Sequence, residues 1–514
     1  MPPRRCFWLA LLVAAPSRLL RSNAGASAPG SRTRLRGPRR PTNASTALQL
    51  VQPGAASNEV VRRLPAPRAL DRRRLSDYAQ LAKLTASDGA ADDMFGRSVA
   101  IDGDTIVVGA PYPVWAVTSS NSPGAAYVLR TTDGGATYDQ VATLTAADGM
   151  PGDQFGWSVA ISGSIVVIGA TKDNLSGNGG YPTNYGAAYI FRTSDGGSTY
   201  AQVVKLAPDE GIDKWDDFGY SVAIDGNVVV IGSLADQISG GTGGWVNEPE
   251  GTVYVFRTTD GGDSWSQVAR LVAYNPFGNA WFGYSVAISG STIVVGSVGY
   301  SERGGWGWGE AYVFRTTDGG ATYVEVAGLT ADDDAEGDVF GRSVAIDGGT
   351  IVVGANDDDD AGSDSGSAYV FRTSDGGATY DQVAKLTATD AAAGDKFGTS
   401  VAVDGGTVAI GAWYGNSAGS GSGSAYVFRT SDGGATYGQV AKLTAADAVA
   451  DDGFGYSVAI DGDTVVVGAL YDGTDSGAAY IFSSDSSWWD YFSSDAATRP
   501  LPPAMVLLVA MLAL

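Results

Sequence analysis

Aspartate is the residue that recurs wherever this sequence could do chemistry. The loop NDDDDAGSDSG, from Asn356 to Gly366, places Asp357, Asp358, Asp359, Asp360 and Asp364 within eight residues. Carboxylates this close repel one another unless water or a cation neutralises them. Asp357, Asp358, Asp360 and Asp364 are therefore candidate calcium ligands, weighed against a solvated acidic loop whose spacing matches no defined calcium motif. A second series is regular. Asp88 and Asp93, Asp148 and Asp153, Asp333 and Asp338, Asp390 and Asp395, and Asp447 and Asp452 stand seven and two residues before a Phe-Gly pair, and a further copy keeps Asp216. Such residues either hold a cation or cap turns by accepting backbone N–H groups, and their regularity favours the turn role.

Catalytic alternatives are few. The chain has no histidine, which removes Ser-His triads, His-bound zinc and the commonest general base. Its single cysteine, Cys6, lies in the leader described below, so thiol chemistry goes with it. A glycosidase needs only two carboxylates at a suitable separation. No non-repeating set of Arg, Glu and Tyr stands out, and the chain is expected to be non-catalytic.

Contact chemistry is the richer prospect. Tyr112, Trp115, Trp245, Trp306, Trp308, Trp413 and Tyr414 lie on dissimilar Gly/Ser-rich loops. Aromatic rings on such loops offer rigid contact area at little entropic cost, which suits a sugar face or a protein partner. The alternative is that they cover the ends of the elements they follow.

Those loops hang on a repeat. FGRSVAIDGDTIVVGAP, beginning at Phe95, recurs at Phe155, Phe218, Phe282, Phe340, Phe397 and Phe454, at spacings of 57 to 64 residues. A fixed long period signals an array of supersecondary units. Each copy holds two apolar runs joined by a tight Asp/Gly or Ser/Gly turn, which predicts a β-hairpin. A third run follows after a variable loop, as AYVLR, AYIFR or AYVFR, and six copies continue through a T-x-D-G-G turn into a fourth strand such as YDQVAKL. Asp381, Gln382 and Lys385 break the apolar pattern of that strand and mark it as an edge. The first two strands are apolar on both faces and need neighbours on both sides. Seven four-stranded antiparallel sheets of this kind are satisfied by radial stacking, so the expected fold is an all-β seven-bladed β-propeller over 75–486. The last copy lacks its fourth strand, whereas YAQLAKLTA at 78–86 precedes the first. The N-terminal strand is expected to close the seventh blade.

Outside the ring, 1–22 reads as a signal peptide, with an Arg-rich, acid-poor organelle transit peptide as the alternative, and 23–74 as a disordered Arg/Pro-rich pro-segment, with Arg72 to Arg74 as a processing site. The tail 487–514 ends in AMVLLVAMLAL, too short to span a bilayer and patterned like a lipid-anchor signal. The net charge is −23, but residues 1–74 hold fifteen arginines against Glu59 and Asp71. The remainder is therefore strongly acidic, which argues against nucleic acid or an anionic membrane as its partner. Asn174 and Asn43 head glycosylation sequons. A secreted or cell-surface location follows, without disulfides to stabilise it.

The FG…SVAI…VVGAP pattern resembles the FG-GAP repeat of integrin α-chain propellers and related cell-surface proteins. That resemblance implies a propeller fold and an adhesive or binding role toward a protein or glycan. Integrin-type repeats often carry a DxDxDGxxD calcium loop between the first two strands; here that position holds only DGDT, SGS, DGN, SGST or DGGT, so those sites are not carried over. The turn from Thr131 to Tyr138 is similar to the Asp-box of sialidases, where it is mostly a structural turn. It implies the same for Asp133, Asp195, Asp260, Asp318, Asp375 and Asp432, and makes a sialidase-like hydrolase the second reading. A structural wall or matrix component is the third.

Overall fold

A computed structural model describes residues 78–112, 122–173, 185–209, 216–234, 251–273, 281–299 and 307–484. The chain divides into two units, of which 18–74 lies outside the described residues, as do residues 1–17, residues 485–514 and Asn174. Seven antiparallel four-stranded sheets follow one another, and six of them run in chain order. In the first blade the strands are Ser98–Asp102, Thr105–Ala110, Ala125–Arg130 and Asp139–Leu144. One helical turn, Asp472–Asp475, interrupts the all-β pattern in the seventh blade.

The ring closes as its sequence predicts. The seventh sheet comprises Phe454–Asp461, Thr464–Ala469 and Ala478–Ser484, with Tyr78–Leu84 as its outer strand. Tyr78 stands opposite Ser484 and Leu84 opposite Ala479, and the strand ends two residues before the expected Ala86. Side chains bolt the seam: Lys83 donates to Asp447 at 2.7 Å, the Ala446 N–H donates to Gln80, and Arg429 donates to the Tyr78 hydroxyl.

The motif letters explain the stacking. The Phe of each motif Phe-Gly pair is at most 1 % exposed and packs on the tyrosine of its own sheet's third strand. The Phe155 ring, for example, meets Tyr189 at 5.4 Å and Phe191 at 5.9 Å, each pair worth roughly 0.5–1.5 kcal/mol. The Gly that follows turns the backbone at φ near +90°, a region that disfavours side chains, and its carbonyl accepts a hydrogen bond from the motif serine of the preceding blade. Ser98 Oγ donates to the Gly156 carbonyl at 3.0 Å, Ser158 to Gly219, Ser221 to Gly283, Ser285 to Gly341, Ser343 to Gly398, Ser400 to Gly455, and Ser457 back to Gly96 at 2.8 Å. A second cycle runs around the opposite end of the first strands. The hairpin glycine N–H of each blade donates to Asp102, Asp225, Asp347, Asp404 or Asp461 of the preceding blade, or to Ser162 or Ser289 where serine replaces aspartate.

The glycine of the GA pair is forced by the same joint. A Cβ on Gly354 would overlap the Gly398 carbonyl oxygen, whereas one on Gly328 meets nothing. Gly354→Ala is expected to cost about 1–3 kcal/mol and Gly328→Ala to be neutral or stabilising, read as denaturation midpoints. Equal midpoints for the two variants would refute the joint as described.

Candidate functional site

The two ends of the ring differ in how their side chains are used. On the turn face, Asp133 Oδ1 accepts from Thr131 Oγ1 and the Thr137 N–H, and Oδ2 accepts from Thr137 Oγ1. Bonds from the Thr137 side chain and backbone, then from Thr131, hold this carboxyl down at about 2. The equivalent turns at Asp195, Asp260, Asp318, Asp375 and Asp432 are built the same way. Three of the six arginines that end the third strands reach the turn of the neighbouring blade: Arg130 donates to the Gly196 carbonyl, Arg192 to Gly261 and Arg372 to Gly433. These aspartates and arginines are scaffold, as their period suggests.

Crossovers and long loops share the other face. The second Asp of each crossover closes a turn: Asp93, Asp153, Asp338, Asp395 and Asp452 accept from the N–H groups of Ala90, Met150, Ala335, Ala392 and Val449. In four crossovers the first Asp faces a lysine. Lys205 lies 2.7 Å from Asp148 and 2.9 Å from Asp173, and the Tyr189 hydroxyl donates to both carboxylates. Lys442 holds Asp390 and Lys83 holds Asp447 and Asp472 in the same way. Fourth-strand lysines expected to guard an exposed edge thus pin the crossover entering their own blade. Gln140, Gln202, Gln382 and Gln439 accept crossover N–H groups beside them.

The acidic loop is divided between two lysines. Asp358 and Asp360 pair with Lys385, which also holds Asp333, while Asp357 and Asp364 pair with Lys396. Asp358 is buried, accepting from the Ser367 and Tyr369 hydroxyls. Burial disfavours its charge, but bonds from Lys385 and Tyr369 outweigh that and lower its pKa. Among the described residues no three acidic side chains converge as a metal cluster.

Of the aromatic candidates, Tyr414 is 44 % exposed and Trp308 is half-buried. Tyr112 and Trp413 are buried, and Trp413 packs across onto Tyr456 and Tyr471 of the seventh blade. Trp115, Trp245 and Trp306 lie outside the described residues.

Between these loops, at the mouth of the axis, lies a set that motif reading passed over. The variable letter after each Phe-Gly is Arg97, Trp157, Tyr220, Tyr284, Arg342, Thr399 or Tyr456, one from each innermost strand. Six of these side chains join into an arc around the axis, with Thr399 outside it. The Arg97 guanidinium lies 3.5 Å from the Trp157 ring centre and donates to the Tyr456 hydroxyl at 2.5 Å; Trp157 meets Tyr220 at 5.7 Å, Tyr220 meets Tyr284 at 5.2 Å, and Arg342 stacks 5.0 Å from Tyr284. The available signal was one position that varies inside an otherwise constant repeat.

Seven segments, 78–129, 138–191, 200–256, 265–314, 323–371, 380–428 and 437–482, match the FG-GAP repeat. The chain belongs to the FG-GAP repeat family. Each matched segment starts on a fourth strand and ends on the third strand of the next blade, so the family's unit straddles the joint between blades. No curated protein matches this FG-GAP propeller. Among solved structures it is similar to the crystal structure of Saccharomyces cerevisiae Sqt1, at 10 % identity over 76 % of this chain and 83 % of that chain, with a TM-score of 0.40.

Two crossover carboxyls carry a pH signature. Burial, opposed by one backbone hydrogen bond and assisted by neighbouring carboxylates, raises Asp153 and Asp338 to about 6. A carboxyl raised in the folded state favours folding below its unfolded value near 4 and loses that contribution as pH climbs through 6. The double variant Asp153→Asn/Asp338→Asn should therefore be the more stable protein at pH 7. Its advantage should shrink as pH falls toward about 4. A difference in melting temperature that stays constant across this range would show that the two groups do not titrate as described.

Proposed function

We propose that this FG-GAP propeller is a non-catalytic, extracellular or cell-surface binding protein that recognises a protein or glycan ligand through its loop face. The observation that carries this reading is the contrast between the two faces. Turn-face aspartates make the same bonds in six blades, while the long loops are unlike one another and the axial position changes among Arg, Trp, Tyr and Thr. Variation confined to one face of a rigid ring is what a recognition surface requires. Export rests on the leader-like N-terminus, and attachment to a membrane on the lipid-anchor pattern of the tail. Asn174 is the glycosylation site on this reading.

Calcium enters as a proposal at Asp357, Asp358, Asp360 and Asp364. In the ion-free arrangement Lys385 and Lys396 neutralise these carboxylates, so calcium would have to displace the lysines.

A glycan array and a cell-surface protein library, each probed with and without chelator, test recognition and calcium together. Tyr414→Ala should lower the signal at least several-fold with the melting temperature unchanged, because its ring is the most exposed of the described aromatic candidates. A full signal from that variant would place the site elsewhere. Release of sialic acid or reducing sugar by the purified protein would favour the hydrolase reading instead.

A further inference from the structure

Every blade ends in an outer strand that has no neighbouring strand on its far side among the described residues. Such an edge pairs with any extended chain unless charge or shape discourages it. In five blades the penultimate residue of that strand supplies the charge, as Lys83, Lys205, Arg270, Lys385 or Lys442, and the first blade has Thr143 there. The fourth blade departs from this. Its outer strand, Val324–Leu329, carries Gly328 at the penultimate position and opens on Val324, where the first and fifth blades open on Asp139 and Asp381.

The result is an apolar edge in the open. Val324 is 64 % exposed and Val326 36 %, and the strand's one charged residue is Glu325. Arg315, which stands opposite Val324 in the sheet, donates to Ser291 Oγ. The flanks are acidic. Asp318 is exposed in the turn that enters the strand, and Asp332 and Glu336 are exposed in the crossover that leaves it. A second copy laid on this edge, in either direction, would set carboxylates against carboxylates at both ends, whereas basic residues there would be attracted.

We propose that Val324–Leu329 is a docking edge for an extended peptide segment with a β-branched middle and basic ends. The segment would add to the fourth blade as a fifth strand. Its backbone would pair along the free edge, its apolar side chains would cover Val324 and Val326, and its basic ends would meet Asp318 on one side and Asp332 and Glu336 on the other. A bulge at Val326 interrupts the ladder, as one does at the equivalent place in the other six outer strands, so the contact is short and its affinity modest. This rim site is separate from the loop face and does not depend on what that face binds.

The test uses the full chain and a fluorescent synthetic peptide, Lys-Arg-Thr-Val-Thr-Val-Thr-Arg-Lys, with a control carrying glutamate at the four basic positions. The basic peptide should bind and slow hydrogen exchange of the amides at 324–329, and the control should do neither. The double variant Val324→Asp/Gly328→Lys gives the strand the charges of a guarded edge without changing the net charge, and a Cβ at Gly328 meets nothing. It should bind the basic peptide at least about tenfold more weakly at an unchanged melting temperature. If the variant fails to fold, hydrogen exchange on the unmodified protein decides. Equal binding by the folded variant, exchange slowed only outside 324–329, self-association that protects these amides without peptide, or no binding up to about 1 mM peptide would each overturn the proposal.

Discussion

The structure depends on a joint between blades in which a serine hydroxyl of one sheet meets a glycine carbonyl of the next. Ser98 to Gly156 is one such contact and Ser457 to Gly96 is the one that completes the circle. The contact works only if two backbones come close enough to exclude side chains, which is why glycine occupies both the FG and the GA positions. One hydrogen bond contributes about 1 kcal/mol, but these are buried, and any one left open strands a carbonyl without water. The cycle therefore holds as a unit, and the aspartate and serine cycle at the other end of the same strands repeats the principle.

A closed cycle also explains how the ends of the chain segment are used. A ring of open sheets would leave the outer edge of the third strand Ala478–Ser484 unpaired, an invitation to pair with another chain. The N-terminal strand covers that edge and brings Gln80 and Lys83 with it, so the seventh blade acquires the same crossover clamps as its neighbours. The clamps show how an acidic ring stays folded. Carboxylates are gathered around lysines at the blade mouths, where Lys205 serves two of them and Lys385 three.

Much of this was readable beforehand, because a repeat states its rule seven times. The Phe period, the double-sided apolar hairpins and the displaced copy at Tyr78 were enough to imply a closed seven-bladed ring. The Asp-box turns were readable for a local reason: Asp133 bonds Thr131 and Thr137, its own neighbours in the chain. What escaped reading joins residues far apart. Lys385 looks like a solvated edge residue until the crossover carrying Asp333 is folded over it, and Tyr112 and Trp413 look like loop contacts until the blades are packed.

The sequence by itself determined the architecture, the number of blades, the closure and the division of the ring into a constant face and a variable one, since each follows from short-range patterns and their repetition. Only the tertiary structure decided which charges neutralise which, which aromatic rings stay exposed, and that Arg97, Trp157, Tyr220, Tyr284, Arg342 and Tyr456 meet at the axis. Those residues sit in different blades, and nothing in their spacing along the chain distinguishes meeting at the centre from pointing away. Closing the ring brings them together, and with them two buried positive charges.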